Sequence, residues 1–332
     1  MAFRRHRKQD LLNRIINSIA DDGWNIIYLN DPSLHPFLLR IYKDGVRHDL
    51  TIYIWNLTHG GGAARPVDEY RIQITGVDRF ENISNDKVLI LGWWEEGGVF
   101  AGFDFNFHNN VLGASPSIQI RESALRDGYV NGLATWERGN HEIAIAIRPD
   151  FLVEYITNLS GLHSFGSSQD DLEVLEEVIE SVDDFNDEAI ENVTLERREI
   201  VIQVKKKVRS NSFKNRVLNA YANTCSFCGV QLKLIDAAHI IPVEHDGTDD
   251  TSNGIALCAI HHRAYDRRLL RFDEEYRIQV NTGTLDKLGE IGLDGGRETF
   301  VQNLRAVLHL PPALQDRPHV DFIRTANELR GW

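Results

Sequence analysis

All three cysteines of the chain lie between Cys225 and Cys258, and two of them form Cys225-Ser-Phe-Cys228-Gly229. Two thiolates at this spacing can grip one Zn²⁺ from a tight turn, and Gly229 allows the backbone conformation such a turn needs. That provides two ligands of four. Cys258-Ala-Ile-His261 repeats the spacing with an imidazole in last place. Cys225, Cys228, Cys258 and His261 together make a tetrahedral Cys₃His set. With every position filled by protein, the zinc is expected to be structural. The rival reading, a redox dithiol at Cys225 and Cys228, lacks a βαβ setting, and an odd cysteine count builds no disulfide framework.

Within this zinc frame lie Asp236-Ala-Ala-His239-Ile-Ile-Pro242, the polar stretch Glu244–Ser252, Asn253-Gly-Ile-Ala-Leu-Cys258, and His261-His262-Arg-Ala-Tyr-Asp266. Phosphodiester hydrolysis needs a deprotonated water, a cation facing the phosphate, and rigid positioning. His239 suits the general base, because imidazole titrates near neutral pH. His262 and Asp266 stand four apart, so on a helix they share one face and can share one ion. Asp266 offers the hard oxygen that Mg²⁺ or Mn²⁺ prefers. Simpler readings stay open: His239 as a satisfied core histidine, and His262 as a competitor of His261 for zinc.

From Phe213 to Phe272 these motifs resemble the HNH (ββα-metal) endonuclease family. In its zinc-bearing members a Cys pair precedes a first strand of "HIIP" type, an Asn closes the loop, and a second Cys-x-x-Cys runs straight into the last His on a helix. Here His261 replaces the last Cys, so His262 is the final motif His. The Ala-Ala-His-Ile-Ile-Pro form and the ending His-Arg-Ala-Tyr-Asp are most similar to the branch found in bacterial restriction endonucleases. The resemblance implies His239, Asn253 and His262 as catalytic residues. Asn253 would hold the loop and fix the His239 ring. It also implies a catalytic divalent ion at His262 and Asp266. One departure stands out: many members carry Asp or His just before the catalytic His, where this chain has Ala238. Either His262 and Asp266 hold the ion with substrate and water, or Asp236 swings in. The first is favoured.

The elements that must position these residues follow from pattern. Leu11, Leu12, Ile15, Ile16 and Ile19 mark a helix over 9–20. Strand-like runs follow at Trp24–Leu29, Phe37–Tyr42, Leu50–Trp55, Tyr70–Thr75, Val88–Trp93, Val99–Phe107, Ser117–Ile120 and Glu142–Ile147. Pro149 opens a helix over Arg148–Leu159. The expected fold class is α+β. A mainly β or α+β domain over 1–165 is expected to recognise DNA or sense a signal. An acidic linker with an amphipathic helix covers 166–194. A zinc-stabilised nuclease domain with a helical extension covers 195–332. In that last part Glu199–Val208 reads as a strand and Phe213–Ala222 as a helix. Tyr276–Val280 reads as a strand, and Glu298–Leu308 and Val320–Leu329 as helices. Five of the six tryptophans fall in 1–165. Core packing is the favoured reading of them, with Trp93-Trp94 the best pair for lining a base pocket. Gly60-Gly61-Gly62 is a flexible loop and lacks the Gly-Lys-Ser/Thr of a phosphate loop.

The net charge of −13 argues against nucleic acid until it is divided along the chain. Residues 170–199 hold thirteen acids, whereas 196–272 holds thirteen Lys and Arg against eight acids. The basic stretch is the one bearing the nuclease-like residues. Lys205, Lys206, Lys207, Arg263, Arg267, Arg268 and Arg271 are the candidate phosphate contacts, with Lys214 and Arg216 as extensions. No apolar run is long enough for a membrane span, and no secretory signal opens the chain, so a cytoplasmic protein is expected. The leading function is a metal-dependent endonuclease acting on double-stranded DNA, of a bacterial restriction or phage-defence kind. A double-strand cut then implies a homodimer or two binding events, and dependence on base modification is an extension of this reading. The alternatives are a DNase or RNase effector of a defence system switched by a signal in the first domain, and a non-catalytic zinc module that binds DNA.

Overall fold

The computed structural model describes residues 5–59 and 66–332, so the Gly60–Gly62 loop and Arg4 of the basic N-terminus lie outside the described residues. The chain forms two compact units, Met1–Val208 and Arg209–Trp332.

The first unit is built on a nine-stranded sheet ordered β1-β2-β3-β5-β6-β9-β8, with β4 on β3 and β7 on β4. The strands are β1 (Asn25–Tyr28), β2 (Phe37–Lys43), β3 (Val46–His59), β4 (Glu69–Gln73), β5 (Lys87–Trp94), β6 (Val99–Phe103), β7 (Ser117–Arg121), β8 (Leu133–Gly139) and β9 (Glu142–Ile147). All pairs are antiparallel except β3 with β5, where Leu50 faces Lys87 and Asn56 faces Trp93. These two strands are interior and covered on both faces, which is why they read as near-continuous apolar runs. Alternation sorts their side chains. Leu50, Ile52, Ile54, Leu89, Leu91 and Trp93 enter one core. Tyr53, Trp55, Leu57, Val88, Ile90 and Trp94 enter the other. Trp93 and Trp94 do point opposite ways, as the pleat requires, but each is 3% exposed, so neither offers a face to a base.

The helices of this unit are α1 (Lys8–Asp21), α2 (Phe105–His108), α3 (Glu122–Asn131), α4 (Leu152–Thr157), α5 (Leu159–Ser164), α6 (Gln169–Glu180), α7 (Ala189–Asn192) and the start of α8 (Leu195–Ala220). Two sequence expectations change here. The acidic stretch 166–194 is part of the core rather than a linker: Leu172, Leu175, Val178 and Ile179 of α6 are buried with α1 and β3 residues. Its acids occupy the other face, so a highly charged composition hides an ordinary amphipathic helix. The strand expected at Glu199–Val208 is the first half of α8. Ile200, Val201 and Ile202 favour a strand locally. Burial follows the helical repeat instead, with Val201, Val204 and Val208 inside and Ile202 outside.

The second unit begins within α8, whose last part is the helix expected at Phe213–Ala222. It pairs β10 (Ile235–His239) with β11 (Gly254–Cys258), antiparallel, so that His239 faces Gly254. Helix α9 (Ala259–Asp266) follows β11 without a gap. Then come β12 (Leu270–Phe272), β13 (Ile278–Val280), α10 (Thr282–Glu290), α11 (Arg297–Gln302) and α12 (Val320–Leu329). The helix expected over Glu298–Leu308 stops at Gln302, because residues beyond it pair with other loops: Arg305 N–H donates to Phe227 at 2.8 Å and Leu308 N–H to Tyr276 at 2.9 Å. Phe213, Val217, Ile240, Ile255, Leu257, Tyr265, Leu308 and Ile323 share one core. The C-terminal extension therefore packs on this unit. Among the described residues no helix is long and apolar enough to cross a membrane.

Candidate active site and metal centre

The metal centre is assembled from two turns. Gly229 has φ +81, the left-handed conformation the knuckle needs, and its N–H donates to Cys225 O at 2.8 Å. The second turn is the start of α9, which carries Cys258 and His261 together. The ligand atoms of Cys225, Cys228, Cys258 and His261 all lie within 4.8 Å of one another. His261 Nδ1 is 3.5 Å from Cys225 Sγ and 3.3 Å from Cys258 Sγ. Zinc–sulfur and zinc–nitrogen bonds of about 2.3 and 2.0 Å fit around a centre of that size. Burial raises the Cys225 thiol, but the His261 ring and nearby backbone groups hold it down at about 6, while burial pushes Cys228 up to about 12. Three soft sulfurs and an imidazole in one buried cluster form a donor set suited to zinc. Among the described residues no other group of three or more such ligands converges.

His261 is buried and committed to the sulfurs, which leaves His262 free of them. Its Nε2 lies 3.7 Å from Asp266 Oδ2, on the half-exposed side of α9. The two form a nitrogen–oxygen pair open to solvent, able to supply two ligands to a hard divalent ion with the remainder from water and substrate. Asp236 is not part of this pair; it is exposed on β10 and bridges to Lys214 at 3.2 Å. Ala238 points into the core at 2% exposure.

His239 closes β10 and is held from two sides. Its ring stacks on Phe213 of α8, with centroids 3.9 Å apart and planes at 9°. Its Nε2 lies 2.9 Å from Asp249 Oδ1, in the loop between β10 and β11. This loop is in turn fastened. Arg216 donates to the Asp249 carbonyl at 2.8 Å. Asn253, fully buried, accepts from Ile241 N at 2.9 Å and donates to Ile241 O at 3.2 Å and Thr248 O at 2.8 Å. Arg330 of the C-terminal extension donates to Ile240 O at 2.9 Å. Asn253 thus staples the loop, whereas the ring itself is oriented by Asp249 and Phe213, which the sequence reading did not single out. Gly254, opposite His239, is required by packing: a Cβ there would meet Val217 of α8 at 2.2 Å.

The cations divide. Arg263, Arg267 and Arg268 are exposed at and beyond the end of α9 and make no ion pair among the described residues. Arg271 donates to Gln279 at 2.8 Å and lies over the Trp332 ring at 4.6 Å. Of the lysine run, Lys206 is exposed, but Lys207 is paired with Asp22 at 2.6 Å. Lys205 is buried against Phe185 and paired with Asp187, so its charge is spent inside the first unit and it leaves the candidate phosphate-contact set. A helical rather than extended 199–208 is the reason, since it turns Lys205 inward beside Val201 and Val204.

Family comparison agrees with this geometry. Residues 225–273 match the model described as HNH endonuclease, and residues 48–156 match one described as Methylase-associated X1. Comparison with curated proteins finds no match. Among solved structures, a modification-dependent TagI restriction endonuclease is 13% identical, with 83% of this chain and 80% of that chain covered at a TM-score of 0.31, a likeness too low to carry an argument. The matched segment opens at Cys225 and includes the Cys₃His group, His239, Asn253 and the His262–Asp266 pair; residues 225–273 are an HNH endonuclease domain, and the enzyme is a nuclease.

Proposed function

We propose that the protein is a metal-dependent DNA endonuclease of the restriction type. The observation that carries this is the held base: His239 sits at a strand end, stacked on Phe213 and turned by Asp249, one strand and one turn away from the His262–Asp266 pair. With Nε2 facing Asp249, Nδ1 is the nitrogen left to take a proton from water. That water's oxygen then attacks phosphorus as the bond to the leaving oxygen breaks. A divalent ion bound at His262 and Asp266 would supply charge neutralisation at the phosphate. Asn253 keeps the loop, and so the ring, in place. Arg263, Arg267 and Arg268 would contact flanking phosphates. A first unit matching a methylase-associated family, joined to an endonuclease domain, suits an enzyme that works beside DNA modification.

The test is a cleavage panel with Mg²⁺ or Mn²⁺ on unmodified, methylated and hydroxymethylated plasmid and on RNA. Cutting of DNA with mapped ends is expected, and a preference for modified plasmid would establish the modification-dependent form. His239→Ala should lose cutting by about 10²–10⁴-fold while keeping zinc and DNA binding. Cleavage confined to RNA, or a His239→Ala protein that cuts like wild type, refutes the reading.

A further inference from the structure

In a chain of net charge −13, the first unit holds a cavity of about 460 Å³ with no carboxylate among the described lining residues, although Glu69 pairs with Arg71 and Glu95 with His6 from outside it. It opens where the N-terminal end of α1 meets β3 and β4, and Arg5, Lys8 and Arg71 supply its cations. The approach to α1 is fixed rather than loose. His6 N–H donates to Asn56 Oδ1 at 2.9 Å, and Asn56 Nδ2 returns a bond to His6 O at 2.9 Å.

The lining carries one half-buried lysine without a carboxylate and two buried N–H groups without an acceptor, among the described residues. Lys8 Nζ lies 3.9 Å from the Trp55 ring centroid and 3.1 Å from His35 Nε2, touches the Ile54 carbonyl, and has no carboxylate partner among the described residues. Burial lowers Lys8 to about 7, and burial together with the Lys8 charge lowers His35 to about 3, so the imidazole beside the ammonium is neutral and does not compensate it. Arg71 Nε and Trp55 Nε1 are buried without a hydrogen-bond partner. Arg5 is exposed at the rim and forms no ion pair among the described residues. Burial leaves Lys8 only partly charged near neutral pH, and an anion in the cavity would favour its protonated form. Together with the two orphaned N–H groups, Lys8 suits an acceptor-rich anion.

We propose that this cavity is a phosphate-binding site of the first unit, and that the phosphate it takes belongs to a DNA strand. The volume suits one nucleotide-sized group. The choice of DNA rests on the endonuclease reading above; the anion site itself does not.

The full-length protein is titrated against a labelled duplex by fluorescence anisotropy, without divalent metal, at several salt concentrations. Arg5→Gln and Lys8→Met should each weaken binding about tenfold and lower the slope of log K against log salt by about one. Arg79→Gln, an exposed arginine away from the cavity, should leave both unchanged. Thermal melts report whether Lys8→Met folds, and Arg5→Gln, on the rim, carries the test if it does not. Calorimetry with a deoxynucleoside monophosphate forms a second arm. Binding lost in Arg5→Gln, with duplex affinity unaffected, supports the anion site and overturns DNA as its source. Wild-type duplex affinity and salt slope in both variants, with no nucleotide binding by the wild type, overturns the site. A protein that binds DNA through Arg5 yet never cuts it with Mg²⁺ or Mn²⁺ refutes the endonuclease reading and leaves this site standing.

Discussion

A general base works only if its ring is presented the same way at every turnover. His239 meets this condition through two contacts of different kinds: the flat Phe213 face limits tilt, and the Asp249 carboxylate limits rotation. Asp249 would act on the reaction through the His239 ring it holds, which makes it a positioning residue. Its removal should cost kcat and spare KM, because it acts on the chemical step and not on substrate binding. Asp249→Asn is expected to lower kcat about 10–100-fold, the range for loss of a group that orients a site residue, with KM, zinc content and melting temperature close to wild type. Single-turnover cleavage alongside steady-state kinetics checks this; a rise in KM at constant kcat would instead make Asp249 a substrate contact. Asp249 was not legible in sequence for a physical reason. The loop offers Glu244, Asp246, Asp249 and Asp250 within a few residues, and an irregular loop has no period to say which of them turns back. Its path depends on the left-handed Asp246 (φ 60) and on Arg216 gripping the Asp249 carbonyl. The Cys₃His residues, by contrast, are separated by the short fixed spacings of turns, and their ligand atoms lie within 4.8 Å of one another.

At the scale of elements, the ββα motif alone is a two-stranded sheet and an eight-residue helix, too little to bury a core unaided, and it shares one with α8 and the C-terminal extension. A metal bound by the Cys₃His group would add to that core. Cys258 ends β11 and His261 lies in the first turn of α9, so a bound ion ties the strand and helix to the Cys225–Cys228 knuckle. The same helix then carries His262 and Asp266, which makes the clip a determinant of where the catalytic pair points. Cys228→Ser, which removes the least buried ligand, is expected to release zinc, lower the melting temperature of this unit and abolish cutting even in excess Mg²⁺ or Mn²⁺. Structural zinc contributes on the order of 10 kcal/mol in small domains, more than a unit of this kind can lose. Elemental analysis and calorimetry of the variant check the outcome, and a zinc-free Cys228→Ser protein that still cuts would show the clip to be dispensable. Most strands were legible at this scale, because β3 and β5 show long apolar runs and β2 alternates. The strand β8 and helix α3 went unread. Leu133–Gly139 mixes Trp136, Glu137 and Arg138 with little alternation, and α3 buries only Ala124, Leu125 and Gly128.

For the whole molecule, the question is where one folding unit stops. Composition places a boundary at residue 165, where the chain turns acidic. Burial places it at Val208. Net charge describes the outer face of α6, whereas cohesion depends on the inner one, and there Leu172, Leu175 and Val178, with Val201 and Val204 of α8, are each at most 1% exposed in the core that also holds α1 and β3. Fully burying an aliphatic side chain contributes about 1.5–3 kcal/mol, so these five together contribute on the order of 10 kcal/mol, comparable with the entire stability of an ordinary domain. A fragment ending at residue 165 would expose that face of the sheet to water. It is therefore expected to be aggregated or molten, with no cooperative thermal transition. A fragment ending at residue 208 is expected to melt cooperatively and to resist limited proteolysis. Circular dichroism melts and protease digestion of the two fragments decide between the boundaries. A cooperatively folded 1–165 fragment would mean that α6 and the start of α8 only decorate the sheet, and the acidic stretch would again be a linker in the energetic sense.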